Sequence, residues 1–172
     1  AARAKLFAQR EQRVRPGRDE KILVSWNALM IKGMARAARV FDEPAWLASA
    51  QNALDFIRCT LWRDQRLLAT YKDGKAHLNA YLDDYAFVID GLLALHSVTN
   101  DAKWLTAARK LQDDQLKMFR DDAGGGFFFT SHQHEELLAR TKNCYDGVLP
   151  AGNSVSARNL TKLAKLTDDK RY

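Results

Sequence analysis

The chain has 172 residues, 47% apolar and 28% charged, with a formal net charge of +6 and two cysteines. That length supports one domain with its own core, while Cys59 and Cys144, lone and without CxxC spacing, exclude a disulfide-stapled scaffold. No apolar run is long enough to span a membrane and no signal-peptide stretch opens the chain, so a cytoplasmic protein with no membrane partner is expected.

Residues 1–22 form a basic lead-in, with seven Arg or Lys from Arg3 to Lys21 against Glu11, Asp19 and Glu20. The excess is local, which predicts a solvated arm and no nucleic-acid partner. Residues 25–41 then read as a helix, with Ser25 as its N-cap and Trp26 and Asn27 behind it. A second helix is predicted over 45–61. An Asp-containing turn and a β-like piece, "RLLATY", complete a first hairpin over 25–80.

The pattern returns 58 residues later. Ile31 falls on Ile89, Gly33 on Gly91, Val40 on Val98, Trp46 on Trp104 and Ala50 on Ala108. Helices are therefore predicted over 81–98 and 102–119, in a second hairpin spanning 81–150. "YLDDYAFVIDGLLALHSV" is apolar on nearly every face, as an inner helix must be. "DAKWLTAARKLQDDQLKMF" has one apolar stripe and one wet face, as an outer helix should. "FFFTS" and "ELLARTK" read as two short strands of a β-hairpin turning at "HQHE". A third unit starts over 151–172, with Asn153 or Ser154 as N-cap and "TDDKRY" matching "TNDAKW".

Inner helix followed by outer helix, repeated, is the pattern of a helical-hairpin solenoid or closed ring. The fold class predicted is all-α: about half of an (α/α)6 toroid in one partial domain over 1–172, with short β-hairpin insertions. The chain stops where the next outer helix would begin. That predicts a fragment with an open apolar edge, and self-association into a homo-oligomer through it.

The stretches "RVRPGRDEKILVSWNALMIKGMARA", "YLDDYAFVIDGLLAL", "GGGFFFTS" and "YDGVLPAGNSVSARNL" resemble the YyaL-like family that includes spermatogenesis-associated proteins. The resemblance covers essentially the whole chain. It implies a C-terminal toroid similar to N-acylglucosamine 2-epimerases and six-hairpin glycosidases, and a thioredoxin-like domain as a partner elsewhere in the parent protein. Ala151 stands where the family more often has Ser.

In such a ring the N-terminal ends of inner helices open onto the central cavity. "SWN", "YLDDY" and "GNS" sit at those ends, combining rings that stack on sugars with carboxylates that accept hydroxyl protons. Asp83 and Asp84 are the catalytic candidates. Adjacent helical residues point about a quarter-turn apart, so the two cannot face each other across a sugar ring. One of them could act as general acid or base, or both could merely cap the helix. Trp26, Asn27, Tyr81, Tyr85, Tyr145, Asp146, Asn153 and Ser154 are substrate-binding candidates. His132 and His134 are acid/base candidates. Their i, i+2 spacing, with Glu135 or Glu136 nearby, lacks a third ligand, so no metal is expected. No GxSxG, GxxxxGK[ST], HExxH or GxGxxG is present, and no cofactor is expected. The reading is a domain that binds or transforms a carbohydrate by acid/base chemistry. The alternative is a non-catalytic scaffold or partner-binding module working with the thioredoxin-like domain.

Overall fold

The computed structural model describes residues 2–64, 66–135 and 137–172. An isolated helix α1 (Ala2–Glu11) buries none of its residues, as a solvated basic arm would. Then come β1 (Ile22–Leu23), α2 (Val24–Phe41), α3 (Pro44–Phe56) with a π-helical turn at Ile57–Leu61, β2 (Trp62–Arg63), β3 (Arg66–Lys72) and β4 (Lys75–Asn79). The second unit holds α4 (Leu82–Thr99) and α5 (Ala102–Phe119), and α6 (Gly152–Thr167) begins the third.

Helix α4 lies at the centre, packed against α2, α5 and α6, while α2 also packs on α3. The inner row is therefore α2, α4 and α6, backed by α3 and α5. Leu82 and every residue from Asp84 to Leu95 are buried in α4. Trp104, Phe87, Phe119, Ile31 and Leu54 fill the space between the layers. Each inner helix stops at a left-handed Asp or Asn: Asp42, Asn100 and Asp168, with φ of 54°, 55° and 52°. These residue types tolerate that conformation and free the helix from its last carbonyls. The three stops fix the register of the repeat. The first two are 58 residues apart, as the sequence pattern demands.

Strand β3 is the middle of a small antiparallel sheet and pairs with β1, β2 and β4. The β3–β4 turn is Asp73-Gly74, both at positive φ, as a two-residue hairpin turn with right-handed twist requires. The second predicted hairpin does not form. Apart from one bridge between Arg120 and Phe127, the described residues of 124–150 lie outside regular strands. Their backbone groups are used otherwise. Phe128 N–H donates to Phe119 O, His132 N–H to Met118 O, and Phe129 O accepts from Leu82 N–H. The Arg140 guanidinium takes Thr130 O and lies over the Phe128 ring. The segment is thus tied down onto the end of α5 and the start of α4, and the two pieces read as strands are bonded through Phe129 N–H to Thr141 O and Arg140 to Thr130 O, without a regular ladder.

Candidate functional site

The N-terminal ends of α2, α4 and α6 meet, and carboxylates join them. Asp84, only 4% exposed, accepts from Tyr81 N–H at 2.9 Å in its own first turn and from Ser25 N–H of α2 at 2.9 Å. Helix α2 starts at Val24, and its cap comes from another helix. Burial pushes the Asp84 carboxyl up to about 6, against the pull of these N–H groups. Both oxygens are occupied, so Asp84 is a tie between helices and not a free catalytic acid. Helix α6 is capped similarly from a distance. It starts at Gly152, with Asn153 and Ser154 inside its first turn. Asp146 accepts from Ala151 N–H at 2.8 Å and from the Ser154 hydroxyl at 3.0 Å.

Asp83 is different. Its carboxyl sits half-buried where α4 meets α6, and a Cβ added at Gly152 would collide with its Oδ1 and with Leu82. That Oδ1 is buried and has no hydrogen-bond partner among the described residues. Burial raises its pKa, and the Gly152 backbone N–H, near the carboxyl but outside hydrogen-bond geometry with Oδ1, offsets this only in part. The Tyr81 ring, two residues earlier in the chain, stacks on Phe129 at 4.9 Å and tilts against His134 at 5.2 Å.

Helical geometry separates the other candidates. Tyr85, two residues beyond Asp83, is buried against Phe119. Its hydroxyl accepts from Leu67 N–H at 3.1 Å, and burial pushes it up to about 12. It faces Phe119 of the outer layer and lies apart from Asp83. Trp26 is 61% exposed on the side of α2 opposite its buried face, in a row with Met30. One residue of offset from Ser25 turns it about 100° away from the concave side. Asn27 spends its amide on Leu23 O. Asn153 clamps two loop strands, accepting from Phe127 N–H and donating to Phe127 O and Asn143 O. Tyr145 is exposed.

His134 is half-buried. Its Nδ1 accepts from Ser131 N–H at 3.0 Å, its Nε2 meets Asn79 O at 3.3 Å, and burial lowers its pKa. His132 meets Met118 O through Nδ1 at 3.2 Å and is exposed. Among the described residues no three His, Cys, Asp or Glu side chains group as a metal site would need. Glu136 lies outside the described residues.

One constellation was missed in the sequence. Asp90, 2% exposed, lies two turns below Asp83 on the same face of α4. It accepts from Arg158 at 2.6 Å and Lys162 at 2.9 Å on α6, and from Lys32 at 2.5 Å on α2. Burial would raise its pKa, but the bonds and charges of Lys32 and Lys162 outweigh that and hold it below the usual carboxylate value. The available signal was a lone Asp inside the apolar run "FVIDGLLAL", at the 58-residue equivalent of Lys32.

No established protein-family profile matches the chain. It is 37% identical to spermatogenesis-associated protein 20 of Homo sapiens over 98% of its own length. It spans about a quarter of that relative, 23%. Among solved structures, a cellobiose 2-epimerase from Spirochaeta thermophila superposes with a TM-score of 0.69 at 20% identity, over 88% of this chain and 40% of the epimerase. The GH76 α-mannanase of Bacteroides thetaiotaomicron superposes with a TM-score of 0.67 at 16% identity, over 90% and 42%. At such identities the likeness establishes the helical-hairpin toroid fold.

Proposed function

We propose that this chain, a homologue of spermatogenesis-associated protein 20 built on the helical-hairpin toroid fold, binds a carbohydrate on the concave side of its inner helices and takes part in acid/base chemistry on it. The observation that carries the reading is Asp83: a half-buried carboxyl with raised pKa and an unpartnered oxygen, at the meeting of two inner-helix N-termini. Burial moves a carboxyl toward the range where it can hold or release a proton near neutrality. The positive ends of α4 and α6 favour its ionised form once it has lost that proton. The stacked Tyr81 and Phe129 rings supply an apolar wall at the start of α4, and Ser154 and Asp146 supply polar partners for hydroxyls. Asp84 sets the frame by tying α2 to α4. The carbohydrate-processing structures with the same fold support the substrate class by analogy.

A thermal-shift screen of the full chain against neutral, amino and acidic sugars tests this. A ligand that raises Tm in the wild type and loses its effect in Asp83→Asn supports the reading. No shift with any sugar in a folded protein refutes it.

The second reading, a partner-binding module, is favoured by the bare edge of α2. Trp26, Met30 and Val40 are exposed there. Their equivalents in α4, namely Asp84, Val88 and Val98, are buried or half-buried. An inner helix fits that edge as α2 fits α4. The proposed occupant is a further hairpin of the same ring or the thioredoxin-like domain of the parent protein.

A further inference from the structure

Lys32, Asp90 and Arg158 each stand ten residues before the left-handed residue that ends their helix. They occupy one position of the repeat in three successive inner helices. They therefore form a belt across the concave face at one level. Lys162, one turn beyond Arg158, closes onto the same carboxylate. Arg36, one turn beyond Lys32, is exposed on the same side of α2. A single acid, Asp90, meets three cations, so the belt carries two positive charges more than it neutralises. The cations also remain within reach of solvent: the side chains of Arg158 and Lys162 are 46% and 35% exposed, whereas Asp90 is covered.

Ion pairing alone does not account for this arrangement. One cation neutralises the carboxylate's charge; the other two satisfy its remaining lone pairs but leave a surplus of positive charge whose members repel one another. Cations packed on one concave face at fixed register make a receptor for an anionic group, and a guanidinium beside ammonium groups suits the oxygens of a phosphate or a carboxylate. Asp90 holds the three side chains extended and oriented, so little rotamer freedom is lost on binding.

We propose that this belt is an anion-binding floor for the phosphate or carboxylate group of a small-molecule ligand, about 10 Å below Asp83 along α4. The spacing matches a sugar whose ring lies at the helix N-termini while its anionic substituent points down the concave face. That link rests on the carbohydrate reading. The anion site itself does not.

The test is calorimetric titration of the full chain with inorganic phosphate, glucose 6-phosphate, glucuronate and glucose at fixed ionic strength. It is repeated on Arg158→Gln/Lys162→Gln and on Asp83→Asn. The expected result is binding of inorganic phosphate or glucuronate that weakens at least about tenfold in the double variant and stays unchanged in Asp83→Asn. Should the double variant fold poorly, Lys162→Gln alone, which leaves Asp90 paired to Lys32 and Arg158, is expected to weaken binding about threefold and to flatten its salt dependence. Equal phosphate affinity in wild type and in the Arg158/Lys162 variants, or no binding of any anion, overturns the proposal. Glucose bound as tightly as glucose 6-phosphate and glucuronate also overturns it, while leaving the carbohydrate reading standing. Phosphate held without any sugar keeps the anion site and removes the sugar from it.

Discussion

Helices α2 and α4 are the same element of one repeat, and they live in opposite surroundings. Gly91 of α4 meets α2 so closely that an added Cβ would lie 3.4 Å from Ala28 O, while Gly33, its equivalent, has nothing within 4 Å. Asp84 is buried and ties two helices together. Its equivalent Trp26 stands in solvent. The pattern therefore fixes where an inner helix runs and which side is its seam. Whether the seam is buried depends on the neighbour present. A Trp and a Met exposed at seam positions mark an unfilled seat and are not, by themselves, a sugar-stacking platform.

The largest expected contrast is between Asp84→Ala and Trp26→Ala. The first strips two part-buried N–H groups of their acceptor and should cost about 2–3 kcal/mol. The second should stay within about 0.5 kcal/mol. Urea denaturation measures both, and equal losses would break the distinction between filled and empty seams.

Acidity sharpens the same contrast. Folding raises the Asp84 carboxyl from its ordinary value to about 6, so the native state binds that proton more tightly than the unfolded chain. The stabilisation this gives is fully present below about pH 4 and is lost as pH rises through about 6, by about 3 kcal/mol in total. Denaturation at several pH values should show this fall in the wild type and its absence in Asp84→Asn. Parallel curves would mean that Asp84 titrates normally.

A smaller effect is expected at the glycines. Gly91→Leu forces a side chain into the α2–α4 contact and should cost about 1–3 kcal/mol. Gly33→Leu, in open space, should be neutral or stabilise by up to about 1 kcal/mol through helix propensity. A loss at Gly33 as large as at Gly91 would show that α2 already has a covering partner in solution.

The helices were legible because apolar spacing and the 58-residue repeat agree at every level. The caps were not. Ser25 satisfies the local rule for an N-cap, yet Asp84 takes its N–H from another helix, and Asp146 serves α6 from five residues upstream of Ala151. A rule about neighbours in sequence cannot see such partners. The "FFFTS" segment has strand composition, but its hydrogen bonds are shared among α4, α5, Asn153 of α6 and the loop at Arg140 and Thr141, so tertiary contacts overrode its propensity. Of the proposed site, Asp83 is readable from its place in the first turn of α4. Tyr85 lies apart from Asp83, against Phe119, because two residues along a helix reverse the direction of a side chain. Lys32, Asp90, Arg158 and Lys162 were hidden because each looks ordinary alone. Their meaning appears only when three helices are placed side by side.

The central claim is that the concave side of α2, α4 and α6 near Asp83 is the binding face. An NMR titration of the isotopically labelled full chain with cellobiose, glucuronate and glucose 6-phosphate tests it most directly. The account predicts amide shifts concentrated at Ser25, Asp83, Gly152 and Ser154, extending to Asp90 and Arg158 for the two anionic sugars only. Shifts confined to the outer helices α3 and α5, or none with any of the three sugars, would contradict it.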